Sequence, residues 1–178
     1  MIRDATIEDL PAIIEIYNTS IPGRMATADL EPVTVASRMD WFTAHTPERR
    51  PLWVVEVDDK VKAWFSFRSF YGRDAYRHTV EVSVYVAPDS HHKHLATQLL
   101  SKALTSAASL DIKTLVAFIF AHNQPSINLF KKYDFQQWGY LPQIAELNGV
   151  DRDLVILGRQ VGQKSEAEPQ TLSKSENR

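Results

Sequence analysis

From position 78 to 86 the chain reads HTVEVSVYV, with apolar and polar side chains in strict alternation. A period of two predicts a β-strand with Val80, Val82, Val84 and Val86 on one face and Thr79, Glu81, Ser83 and Tyr85 on the other. Ala87-Pro88-Asp89-Ser90 ends it, because proline lacks a ladder N–H and Asp-Ser favours a turn. The period then changes. Leu95, Leu99, Leu100, Ala103 and Leu104 recur at helical spacing, so residues 95–104 read as a helix. A carboxylate on an apolar strand, followed closely by a helix N-terminus, sets a candidate base beside a candidate anion site.

The flanking pattern predicts a mixed sheet. Residues 1–4 form a short edge strand, and Thr6 with Asp9 resembles a capping box ahead of a helix carrying Ile7, Leu10, Ile13, Ile14 and Tyr17. Asn18 to Gly23 breaks that helix. A second helix is expected over 33–44, with Val35, Met39 and Phe42 as its inner stripe. Strands at 52–57 and 61–70, joined by Asp58-Asp59, make a hairpin whose core includes Trp53 and Trp64. Residues 71–77 form a polar, arginine-bearing loop. Residues 114–120 are almost wholly apolar and read as a strand buried on both faces. A helix follows over 123–133, with Ser126 as its cap and Ile127, Phe130 and Tyr133 facing inward. Strands near 135–140 and 154–161 close an α/β domain with helices on both faces of the sheet. The domain spans residues 1–161. Residues 162–178 hold one leucine and no aromatic side chain, and are expected to be a disordered tail.

Composition narrows the function. A net charge of −2 and a pI near 6.3 give no electrostatic case for nucleic acid or an anionic membrane. The chain has no cysteine, which removes disulfides, thiolate metal sites and a cysteine nucleophile, and fits a cytoplasmic setting. It has no apolar run of transmembrane length and no signal-peptide pattern.

Tyr76-Arg77-His78-Thr79-Val80-Glu81 with Ser83-Val84-Tyr85-Val86, the loop and helix after it, Asn123-Gln124-Pro125-Ser126 and Phe135 together resemble the GNAT acetyltransferases, most closely their phosphinothricin and methionine sulfoximine N-acetyltransferases. The likeness covers roughly residues 1–160. It implies a sheet with a splayed parallel strand pair, acetyl-CoA as the co-substrate and a homodimer. It also implies Glu81 as general base, and CoA contacts at Val84, Tyr85, Val86, His91, His92, Lys93, His94, Leu95, Ala96, Thr97, Asn123 and Ser126. The acceptor pocket is expected to be formed by Phe70, Arg73 and Tyr76, with Arg24 as a further candidate from the early loop.

Three positions depart from the family. Where the pyrophosphate loop reads Arg/Gln-x-x-Gly-x-Gly/Ala, this chain has His91-His92-Lys93-His94-Leu95-Ala96, so only the final alanine matches. His94 in place of glycine is expected to crowd the loop. The histidines and Lys93 are then expected to hold the CoA phosphates by side-chain charge, giving weaker and more pH-dependent binding. Phe130 stands where relatives carry a tyrosine or histidine, and cannot donate a proton; a thiolate of free pKa near ~8.5 needs little acid help. Asp134-Phe135 replaces Gly-Phe, and aspartate tolerates the left-handed conformation. His91 and His94 invite a metal, but no carboxylate stands at a ligand spacing, so no metal is expected.

The expected reaction is direct acetylation of the amine of a small amino-acid-like acceptor of the phosphinothricin, methionine sulfone or methionine sulfoximine type. An acceptor carboxylate or phosphinate would be clamped by Arg73. The alternatives are another amine, such as a polyamine or a peptide N-terminus, and a non-catalytic acyl-CoA-binding relative.

Overall fold

The alternating segment is the central strand of a seven-stranded sheet. The computed structural model describes residues 1–91 and 93–162; the tail beyond Gly162 and His92 lie outside the described residues. The strands are β1 (Ile2–Asp4), β2 (Leu52–Val57), β3 (Lys60–Ser69), β4 (Thr79–Val86), β5 (Thr114–Phe120), β6 (Gln136–Leu147) and β7 (Val150–Gln160), in spatial order β1-β2-β3-β4-β5-β7-β6. Every neighbouring pair is antiparallel except β4–β5. Helices α3 (Leu95–Ser106) and α4 (Gln124–Lys131) cover one face; α1 (Leu10–Thr19) and the short α2 (Met39–Thr43) cover the other.

The period-two reading of β4 holds. Val80 and Val82 are buried against Leu95, Leu99, Leu100 and Ala103 of α3, with Phe65, Phe67, Leu115 and Ile119 completing that core. On the opposite face Trp64 joins Ile13, Ile16, Leu52 and Val54, with Tyr17, Trp41 and Tyr85 packed against them. The expected Thr6–Asp9 interaction is present: the Thr6 N–H donates to the Asp9 carboxylate at 2.8 Å, and Arg3 binds the same carboxylate with two nitrogens.

β3 pairs with β4 along its length, from Ser69↔Val80 to Ala63↔Val86. β5 pairs only at Thr79↔Thr114, Val80↔Leu115 and Glu81↔Val116. Past Glu81 the parallel strands part. Ala87 N–H donates to Lys62 O, and Phe70 N–H to Thr79 O. Those bonds make Ala63↔Val86 and Ser69↔Val80 non-hydrogen-bonded pairs, so the N–H and C=O of the even-numbered valines point toward β5. At Val84 and Val86 no strand among the described residues meets them.

The sequence-based elements are corrected in four places. The second helix is shorter than 33–44: a 3₁₀ turn at Ala36–Arg38 leads into Met39–Thr43. Met39 is exposed; Phe42 packs inward as expected, and Trp41 packs inward beside it. The last two strands are longer than 135–140 and 154–161, and form a hairpin that turns at Asn148-Gly149, both with positive φ. An Asn-Gly pair between strands is the signature of a type I′ turn, so the signal was in the sequence. Finally, Asn123 and not Ser126 caps α4, its side chain accepting from the Ser126 N–H at 3.3 Å.

Candidate active site

Glu81 is the last residue of β4 that pairs with β5, so its carboxylate stands at the point where the strands diverge. It shares a face with Ser83, Tyr85 and their β3 partners Arg68, Ser66 and Trp64, and with Val116 on β5. Burial raises its pKa from the ordinary carboxylate value, and the positive charge of Arg68, directly across the ladder, partly offsets this. A half-buried carboxylate with its pKa raised in this way is a stronger base than a solvated one.

Among the described residues, the opening beyond Glu81 is lined by the unpaired N–H groups of Val84 and Val86 and the unpaired carbonyl of Val84. Tyr85 turns its own N–H and C=O to β3, so among the three expected contacts Val84 and Val86 carry the available donors. Unpaired N–H and C=O groups in a strand-wide gap suit an extended amide-bearing chain, as a further strand would. His91 reaches back into this region, its Nε2 lying 3.0 Å from Val86 O.

The loop after β4 is braced by the Lys62–Asp89 ion pair (2.6 Å) and by Ser90, whose hydroxyl donates to Asp89. His94 is the N-cap of α3 and takes the left-handed conformation, φ 56° and ψ 24°. Its side chain is exposed, as is Lys93. The backbone thus takes a conformation that favours glycine, at the cost of strain, with the histidine side chain exposed. Leu95 is buried beneath the loop. Ala96 and Thr97 belong to the first turn of α3, where main-chain N–H groups have no helical partner; the Thr97 carbonyl accepts from Tyr133 Oη at 3.1 Å, which gives Tyr133 a structural role between α3 and α4. Phe130 is buried in the core. Asp134 is left-handed at φ 58°, as its Asp-for-Gly position required.

Three successive carbonyls of the α1–α2 connection bridge the parted strands. His122 Nε2, just past β5, bonds Arg24 O at 2.8 Å; Asn123 Nδ2 donates to Met25 O at 3.2 Å; Tyr85 Oη, on β4, donates to Ala26 O at 3.1 Å. Residues 24–26 therefore strap the end of β4 to the end of β5. Arg24 itself is left-handed, and its guanidinium donates to Leu30 O at 2.8 Å. Its side chain shapes the strap. Tyr17 holds the same connection through Thr27 and Asp29; burial pushes its phenol pKa up to about 12.

Three of the four expected acceptor residues, Phe70, Arg73 and Tyr76, are brought together, while Arg24 belongs to the strap. Phe70 stacks on Phe118 of β5 (6.4 Å, 14°) and packs edge-on against Tyr71 and Tyr76. Tyr71, Arg73 and Tyr76 line a cleft of about 330 Å³. Phe118 lies two residues beyond Val116 on the same face as Glu81, so this aromatic loop adjoins the carboxylate.

Two contributors escaped the sequence reading. Arg68 is opposite Glu81 only because of the β3–β4 register, which the long loop between those strands conceals. Arg50, only 5% exposed, donates to Ser69 Oγ (3.0 Å) and Arg77 O (2.6 Å), pinning both ends of the acceptor loop. Among the described residues there is no grouping of three or more His, Cys, Asp or Glu able to hold a metal ion, and no helix is long and apolar enough to cross a membrane.

Comparison with known proteins agrees with this geometry. The model of the Acetyltransferase (GNAT) family matches residues 10–135. YwnH of Bacillus subtilis (strain 168), provisionally named a phosphinothricin acetyltransferase, is 50% identical over 161 residues, covering 90% of this chain and 98% of that protein. The L-methionine sulfoximine/L-methionine sulfone acetyltransferase of Pseudomonas paraeruginosa (strain DSM 24068 / PA7) is 33% identical, covering 88% and 91%. The crystal structure of a GNAT superfamily phosphinothricin acetyltransferase from Sinorhizobium meliloti in complex with AcCoA superimposes with a TM-score of 0.86 at 27% identity, covering 95% and 92%. With a parted β4–β5 pair, a carboxylate at the parting and these relatives, the chain belongs to the GNAT acetyltransferase family.

Proposed function

We propose that this protein transfers the acetyl group of acetyl-CoA directly to the amine of a small amino-acid-like acceptor of the phosphinothricin, methionine sulfone or methionine sulfoximine type. The observation that carries this reading is Glu81: a partly buried carboxylate of raised pKa at the divergence of β4 and β5. The names of the relatives support the acceptor class.

Acetyl-CoA supplies the acyl group as a thioester. Glu81 takes a proton from the acceptor ammonium, the nitrogen forms a bond to the acyl carbon, and the carbon–sulfur bond breaks with CoA leaving as thiolate, which takes up the nitrogen's second proton to give the amide and free CoA thiol. The N–H of Val84 or Val86 polarises the acyl oxygen, and the remaining main-chain groups of these residues hold the pantetheine arm. The first turn of α3, with His91, Lys93 and His94, takes the CoA phosphates, and Asn123 and Ser126 border the far side. His91 must release Val86 O when the arm enters.

Arg73, with Phe70 and Tyr76, receives the acceptor, its guanidinium matched to a carboxylate or phosphinate. A basic acceptor loop favours such anions over polyamines. A homodimer and a cytoplasmic location complete the reading. The first is supported by the exposed Leu141, Ile144 and Val150 of the β6–β7 hairpin, the second by the absence of cysteine.

Thiol release from acetyl-CoA, measured against a panel of amines, tests this. Turnover is expected with methionine sulfone, methionine sulfoximine or phosphinothricin, and loss of turnover when the acceptor carboxylate is amidated. Preference for spermidine, or acetyl-CoA binding without turnover of any amine, would overturn it.

A further inference from the structure

β6 departs from regular pairing opposite the active-site row. Gln137 pairs with Leu157 and Gly139 with Ile156, so Trp138 is an extra residue, a β-bulge. Bulges re-aim a side chain, and do so disproportionately beside active sites. Here the indole lies flat over Gly158: a β-carbon at 158 would fall within the Trp138 ring, against Cε3, Cζ3 and Cδ2. Gly158 is therefore a position emptied for a ring.

The sheet register shows where that ring sits. Glu81 pairs with Val116, and Val116 with Gly158. Residues in one lateral row share a face, so the β-carbon that Gly158 lacks would have pointed to the side of the sheet that carries Glu81. At about 4.8 Å per strand, Gly158 is about 10 Å from Glu81 along the row. Trp138 is 49% exposed, one face of the ring against the glycine and the rest open. Phe70 and Phe118 occupy the same side.

We infer that Trp138, seated on Gly158 by the bulge, is a specificity-determining residue that receives the acceptor's side chain. With the acceptor amine at Glu81, an extended amino acid of medium length reaches the indole. A flat, polarisable aromatic face there favours an apolar or sulfur-bearing side-chain end over a charged one. The inference rests on the acceptor class proposed above.

The test compares steady-state kinetics of the full chain and its Trp138→Ala, Trp138→Phe and Gly158→Ala variants with L-methionine sulfone and with L-alanine, which is too short to reach the ring. Trp138→Ala is expected to raise KM for methionine sulfone about tenfold while leaving KM for acetyl-CoA and for alanine unchanged. Trp138→Phe should restore most of the loss, and Gly158→Ala, by displacing the ring, should reproduce it. Equal loss with both acceptors, or unchanged discrimination between them in Trp138→Ala, would overturn the inference and leave the proposed reaction standing. A wild-type protein that acetylates no amino acid would overturn both.

Discussion

The two faces of the sheet divide the labour of one alternating strand. On the α3 side, Val80 and Val82 belong to a core of more than twenty buried residues, among them Phe65, Phe67, Leu99, Leu100 and Leu115. On the other side, the residues between them and beyond are Glu81, Ser83 and Tyr85, opposite Arg68, Ser66 and Trp64, over a much smaller apolar cluster. The first face carries stability and no titratable group of use. The second accepts a destabilised carboxylate because the first holds β4 in place. A strand of period two lets both demands fall on neighbouring residues.

Substitutions on the two faces should therefore separate activity from stability. Glu81→Gln is expected to lower kcat by about 10²–10⁴-fold, as loss of a general base does. It should not lower the melting temperature at pH 7. A raised folded-state pKa means that Glu81 contributes stability below its unfolded pKa and loses it as pH rises through the folded value, so the neutral amide removes a penalty. Leu99→Ala, fully buried on the α3 side, is expected to cost about 2–5 kcal/mol in denaturant unfolding. At temperatures where it remains folded, its kcat should stay near wild type. A fall in kcat matching Glu81→Gln would break the comparison.

Smaller effects sharpen it. His94→Gly relieves a left-handed β-carbon but frees the unfolded chain, for a net gain of about 0.5–1 kcal/mol. Arg68→Met removes the charge that opposes the burial shift at Glu81, so the acidic limb of kcat/KM should move to higher pH. A limb that moves down would exclude that pairing.

Much of this arrangement was legible because it is local. The alternation of β4, the change to helical spacing at Leu95, the Thr6–Asp9 cap and the left-handed Asp134 all depend on neighbouring residues. What the sequence withheld depends on register. Arg68 faces Glu81 across a connection too long to set a count, Trp138 reaches Gly158 through a bulge, and residues 24–26 meet Tyr85, His122 and Asn123 from far along the chain. The loop after β4 hid its backbone in another way: nothing in the letters shows that His94 takes the left-handed conformation with its side chain exposed.

The central claim is that Glu81, at the divergence of β4 and β5, takes the acceptor's proton. The pH profile of kcat/KM for the acceptor, at saturating acetyl-CoA, tests it most directly. The wild-type profile should show an acidic limb displaced upward from the ordinary carboxylate value that vanishes, together with most of the rate, in Glu81→Gln. Full activity in Glu81→Gln, with a profile set by the acceptor ammonium alone, would contradict it.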